Sequence, residues 1–174
     1  MGLSHRLLDR LRAVPGVMQA VFTTNLPSGV GVSSQLESGM QSPDGPMFTT
    51  QLHAVSAGFF KVFGITLRKG RPFAATDAHS GEAVAVVSAS AVKQGYGGHA
   101  LGKLIQFGGH AFHWSARVVG VVDDTHQFGP LQQAPPTVYV PLGQVPAGLM
   151  KMLRQFEPLR FAVRVHGDPQ RYRD

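Results

Sequence analysis

The 174 residues are 43% apolar, enough to build one core or two small lobes, and only 15% charged. Twenty-one glycines and 12 prolines mark a loop-rich, β-heavy chain, and the lack of cysteine excludes disulfide scaffolds, thiolate metal sites and a cysteine nucleophile. The net charge of +6 is spread evenly: residues 1–80 carry seven Lys/Arg against four Asp/Glu and residues 81–174 nine against six, with no basic stripe among stacking aromatics, so no nucleic-acid partner is expected.

No apolar run approaches the roughly 18 residues of a bilayer span. Met1 to Arg12 lacks the apolar centre of a signal peptide, so the chain as written is expected to be soluble. Ser4 is placed to cap a helix running to Ala13, with Leu7, Leu8 and Leu11 on one face, and Val14-Pro15-Gly16 stops it. Val17 to Thr24 is β-branched and predicts a strand. Asn25 to Pro46, rich in Gly, Ser and Pro, predicts a long loop or weak hairpin. Phe48 to Ser56 predicts a strand, and Phe59, Phe60 and Phe63 then recur at helical spacing up to Gly64. Ile65 to Arg71 predicts another strand. The continuous apolar run Ala83 to Val87 has the pattern of a strand buried on both faces.

Ala89 to Gln94 predicts a short helix closed by Gly95. Strands are expected at Leu104–Phe107 and Ala116–Val122, joined through a turn at Gly108-Gly109, and at Thr137–Val140. Met150 to Phe156 predicts a helix. Leu159 to His166 alternates, which predicts Phe161, Val163 and Val165 facing inward and Arg160, Arg164 and His166 outward. Asp168-Pro169 has the form of a helix start shortly before the chain ends, so the sequence is expected to be a segment of something larger. The fold class is α+β, with short mixed or antiparallel strands and a few short helices.

Chemical motifs are sparse. Gly97 to Lys103 spells G-x-x-x-x-G-K, but Leu104 stands where a phosphate loop needs Ser or Thr for Mg²⁺, and a strand rather than a helix follows. His110 and His113 have opposite parity on an extended chain, so converging with Asp123, Asp124 or His126 on one ion is disfavoured. A hydrolase or metalloenzyme around His110, His113 and His126 is the weakest alternative. Asp123 and Asp124 point to opposite faces of a strand and read as turn-initiating residues. No G-x-S-x-G elbow is present. No catalytic residue, metal ligand or cofactor is assigned.

Taken in order, seven stretches carry a resemblance: Leu7 to Val17; Asn25-Leu26-Pro27; Val55 to Ile65; Leu101-Gly102-Lys103; Val118 to Asp124; Pro136 to Leu142; and Phe161 to Val165 before Gly167-Asp168-Pro169. The ordered set resembles the extracytoplasmic core domain of MacB/FtsX-like ABC transporter permeases, from about Leu7 to Pro169. Two turns depart from the family pattern. Gln94-Gly95-Tyr96-Gly97-Gly98 lacks an aromatic-Pro pair, and Val122-Asp123-Asp124 replaces a simpler Val-Gly-Asp ending.

The resemblance implies a non-catalytic domain between two membrane helices of a permease. One lobe would span about 1–47 plus 143–174, with a mostly β lobe, about 48–142, inserted between. The implied partners are the transmembrane remainder of the same permease, a cytoplasmic ABC ATPase reached through those helices, and a second permease copy or a periplasmic adaptor. The implied location is the extracytoplasmic face of a bacterial inner membrane. Pro27 and Gly29 in the long loop, with Phe112 and Trp114 at the hairpin tip, are the candidate contact residues, since exposed aromatics mark contacts. The alternative is a stand-alone small-ligand or peptide-binding α+β module, suggested by the same loop.

Overall fold

A computed structural model describes residues 2–27, 37–41, 47–78, 81–107, 114–126, 133–156 and 159–172. In chain order the elements are α1 (Gly2–Arg12), β1 (Val17–Thr23), β2 (Glu37–Gln41), β3 (Met47–Val55), α2 (Phe59–Phe63) and β4 (Leu67–Gly70). They continue as β5 (Val84–Ser88), α3 (Ala89–Gly95), β6 (Leu104–Phe107), β7 (Trp114–Val122), β8 (Thr137–Pro141), α4 (Ala147–Phe156) and β9 (Arg160–Val165). Short 3₁₀ turns lie at Ala75–Ala78, Leu142–Gln144 and Pro169–Tyr172. The α+β expectation holds.

The strands form one mixed sheet in the order β2-β6-β7-β5-β8-β3-β1-β9, with β4 added along β7. Pairs β3–β8 and β5–β7 are parallel, and the remaining pairs are antiparallel. Because β2 pairs with both β3 and β6, six of the strands close into a ring. Closure removes two sheet edges that would otherwise expose unpaired N–H and C=O groups. The run from Val84 is buried at every position of β5, flanked by β7 on one side and β8 on the other. Its side chains divide by parity. Ala85 and Val87 join a large core with Ile105, Val118, Val138 and Leu153, while Val84 and Val86 face a second core of Phe59, Phe60, Phe73 and Tyr139.

Helix punctuation follows the chain closely. Gly64 closes α2 in the left-handed region at φ 66°. Ser88 caps α3 through its hydroxyl, which accepts the Ala91 N–H at 3.3 Å. Asp124 reinforces this end by accepting from the Ser90 N–H at 2.8 Å, whereas Asp123 pairs with Arg68 on β4. The adjacent carboxylates thus serve two different elements. Asp168 accepts the Gln170 N–H at 2.9 Å, but the turn it opens is 3₁₀.

Four expectations need correction. α1 begins at Gly2, so Ser4 lies inside its first turn rather than at the cap. α3 includes Gly95, with Tyr96 as its C-cap, so the glycine does not close that helix, whereas the weak hairpin expected in the long loop is present, with β2 antiparallel to β3 and Glu37 opposite Gln51. α4 starts at Ala147, directly after Pro146, three residues earlier than the apolar pattern indicates. The fourth concerns β9, where Phe161 and Val163 are 44% and 43% exposed while Ala162 packs against the second core. β9 is an edge strand, and α1 covers too little of that face of the sheet to bury two large side chains.

Gly120 in β7 faces the chain just past β4, so a Cβ there would lie 2.4 Å from the backbone oxygen of Arg71. A carbonyl on a paired segment cannot swing aside, since the Arg71 N–H also binds Val119 O at 2.9 Å. Gly120→Ala is therefore expected to cost about 1–3 kcal/mol through overpacking. Thermal unfolding followed by circular dichroism would show a Tm lowered by several degrees. An unchanged Tm would mean that β4 and β7 separate freely.

Candidate interaction surfaces

A cleft of about 960 Å³ opens where α1, α4 and the Ala75–Ala78 turn meet the sheet. Local sequence explains each wall. Leu8 faces the sheet from α1 and packs with Ala20 and Phe22. On α4, Leu149 and Leu153 recur four residues apart and enter the large core, Met150 both packs against that core and lines the cleft, and Lys151 and Arg154 turn to the cleft. The Ala75–Ala78 wall is fixed by Asp77, whose carboxylate accepts from both Arg71 guanidinium nitrogens (2.7 and 3.0 Å) and from the Ala74 N–H at 2.8 Å. The Arg71 hydrogen bonds hold the Asp77 carboxyl below the ordinary range. Gly143 completes the base, because a Cβ there would sit 2.0 Å from the Ala78 carbonyl oxygen.

Beside the cleft, an apolar strip lies on the α1 side of β1 and β9. Register places Phe22 opposite Phe161 and Ala20 opposite Val163, and the Phe22 and Phe161 rings pack at 4.3 Å. Met18, Phe161 and Val163 remain well exposed along this strip. Large apolar groups arranged together on a surface mark a contact region more than scattered ones do.

The residues singled out from the sequence are dispersed. Pro27 follows β1 and is half-buried. Gly29 and Phe112 lie outside the described residues, as do His110 and His113. Trp114 opens β7, half-buried and stacked on Phe107 of β6 at 4.4 Å. Most of that indole therefore seals the end of the large core. His126 is exposed, and among the described residues no three His, Asp or Glu side chains are placed to share a metal ion. The Gly97–Lys103 stretch links α3 to β6, so the strand-before, helix-after context of a phosphate loop is inverted.

Sequence reasoning missed the cleft, since Arg12, Lys151 and Arg154 come from helices at opposite ends of the chain. It also missed a buried polar stripe on β3. His53 is fully buried, with its ring 5.4 Å from Tyr139, and burial pushes its pKa down to about 4. Tyr139, equally buried, has its hydroxyl pushed up to about 12. Both groups stay neutral at ordinary pH, as structural residues in a dry core do.

A family model described as the MacB-like periplasmic core domain matches residues 2–168. The chain belongs to this family. No curated protein matches it significantly. Among solved structures, the extracellular domain of the noncanonic ABC-type transporter YknZ from Gram-positive bacteria aligns with TM-score 0.60 and 19% identity, over 94% of this chain and 73% of that one. The periplasmic region of MacB from Actinobacillus actinomycetemcomitans aligns with TM-score 0.57 and 17% identity, over 90% and 76%. A domain of a permease protein, itself assigned only provisionally, from Porphyromonas gingivalis gives TM-score 0.60 and 21% identity, over 91% and 61%. At such identities these likenesses establish the fold, and the family match establishes a MacB-like extracytoplasmic transporter domain. Among the described residues no helix is long and apolar enough to cross a membrane.

Proposed function

We propose that this MacB-like domain works without chemistry of its own, transmitting motion from a cytoplasmic ABC ATPase, through flanking membrane helices, to the extracytoplasmic side. The observation that carries this reading is the family match over residues 2–168. The same match favours it over a stand-alone binding module. The moving parts would be the two lobes, about 1–47 plus 143–174 and about 48–142, with a second permease copy or a periplasmic adaptor as the surface contacted. β1 and β3 join at one register pair, Thr23 with Val55, bridged by the Thr24 N–H to Ala54 O (3.0 Å) and the Ser56 N–H to Phe22 O (2.9 Å). The lobes also meet where β2 pairs with β3 and β6 and where Leu149 and Leu153 of α4 enter the large core, and motion between them would shift these contacts.

Within these 174 residues no native cysteine competes with an engineered one. Lys93→Cys and Gln106→Cys, both at exposed positions, are placed singly in the full-length membrane protein and treated with an impermeant maleimide on intact cells. Labelling from outside is expected at both. Labelling only after lysis would overturn the extracytoplasmic reading. For the coupling itself, the labelling rate at Phe161→Cys is compared with and without nucleotide and vanadate trapping. A changed rate is expected, and identical rates would remove the transmission role.

A further inference from the structure

We infer that the cleft between α1 and α4 is a binding site for a single-chain amphiphile with a carboxylate head, a long-chain fatty acid. At about 960 Å³ it falls within the size range of small-molecule sites, about 300–1,000 Å³. Its floor is apolar, from Leu8, Phe22, Val55 and Leu142, and the hydroxyl of Ser56 is already engaged with the Phe22 N–H at 2.9 Å. A fully polar ligand would find few partners on that floor.

The charge at the rim points to the head group. Among the described residues Arg12, Lys151 and Arg154 line the cleft, and no Asp or Glu does. Asp77, next to the lining, is committed to Arg71. Arg12 is partly engaged, with Asp9 at 3.8 Å and the Ala20 carbonyl at 3.3 Å, while Lys151 and Arg154 are exposed and form no ion pair with a described residue. Three cations above an apolar trough, with no carboxylate among the described lining residues, complement an anionic head on a hydrocarbon tail. They oppose a cationic one.

The test titrates the 174-residue chain with laurate below its micelle concentration, by calorimetry and by the carboxyl carbon resonance of ¹³C-labelled laurate. One saturable site per chain is expected. Decanoate, two methylenes shorter, should bind about fifteenfold more weakly, since each buried methylene is worth roughly fourfold. Dodecylamine should not compete. Lys151→Gln with Arg154→Gln, at exposed positions that leave the core intact, should weaken laurate about tenfold, and Ala75→Trp should fill the cleft and abolish binding. Four results would each overturn the inference: no saturable binding of laurate, equal binding of dodecylamine, unchanged binding in the charge variants, or a dimer in sedimentation that laurate dissociates. The last would assign the cleft to a second copy of this chain.

Discussion

Tyr139→Ala is expected to lower the unfolding free energy by about 3–5 kcal/mol, the range for deleting a large aromatic from a packed core. Tyr139 has no exposed surface and lies in the middle of β8, between β3 and β5. Its ring meets His53 at 5.4 Å, Phe59 at 5.7 Å and Phe60 at 5.1 Å, so it links the sheet to α2. The surrounding groups are held by the β ladder and by one another, and little collapse into the void is available. Against a typical total of about 5–15 kcal/mol this loss brings the domain close to unfolding. Tyr139→Phe separates ring from hydroxyl. The hydroxyl has one long contact, 3.4 Å to Thr125, so this variant should stay within about 1 kcal/mol of the parent. Urea unfolding with unchanged m-values checks both. Equal losses in the two variants would place the stabilisation in the hydroxyl and refute the packing account.

Acid should destabilise the domain through His53. Burial lowers its pKa from 6.5 to about 4 in the folded chain, so the native state refuses a proton that the unfolded chain accepts. The sign is fixed by that order. Above pH 6.5 both states are neutral at this residue and the group contributes nothing. As pH falls from 6.5 towards 4 the unfolded state gains protons alone, and stability drops by on the order of 3 kcal/mol before levelling off below about pH 4. Asp77 and Asp123, whose carboxyls are held low by hydrogen bonds from Arg71 and Arg68, act in a different window. Their contribution is present above the ordinary carboxylate range and is lost only as pH falls through their own lowered values. His53→Leu should therefore flatten the stability profile between pH 6.5 and 4 while leaving the steeper loss below it. A profile in that window identical to the parent would show that His53 takes up its proton in the folded state.

Much of the framework is legible because it is written locally. The Phe59, Phe60 and Phe63 spacing with Gly64 behind it specifies α2, and the unbroken run ending at Val87 specifies a strand covered on both faces. The residues Ala89 to Gln94 specify most of α3. Each rests on side-chain period, capping or glycine geometry within a few residues. The candidate contacts were less legible. Trp114 is an aromatic beside a turn, a pattern shared by binding tips and core plugs, and only its stacking on Phe107 distinguishes them.

What the sequence determined by itself was therefore the class of fold, the position of most elements and, through seven ordered stretches, the transporter family. Three matters were decided only in the tertiary structure. β2 closes the strand ring because β3 and β6 both offer it an edge, although its own residues barely favour a strand. Phe161 and Val163 lie on the apolar side of β9 yet remain open, because alternation fixes which side chains share a face and not what covers that face. Arg12 and Arg154, far apart in the chain, come to one cleft because Leu8 seats α1 and Leu149 and Leu153 seat α4 against the same sheet. Periodicity records that a residue meets something apolar. Which element it meets, and where a gap is left between two of them, is set by contacts distant in sequence.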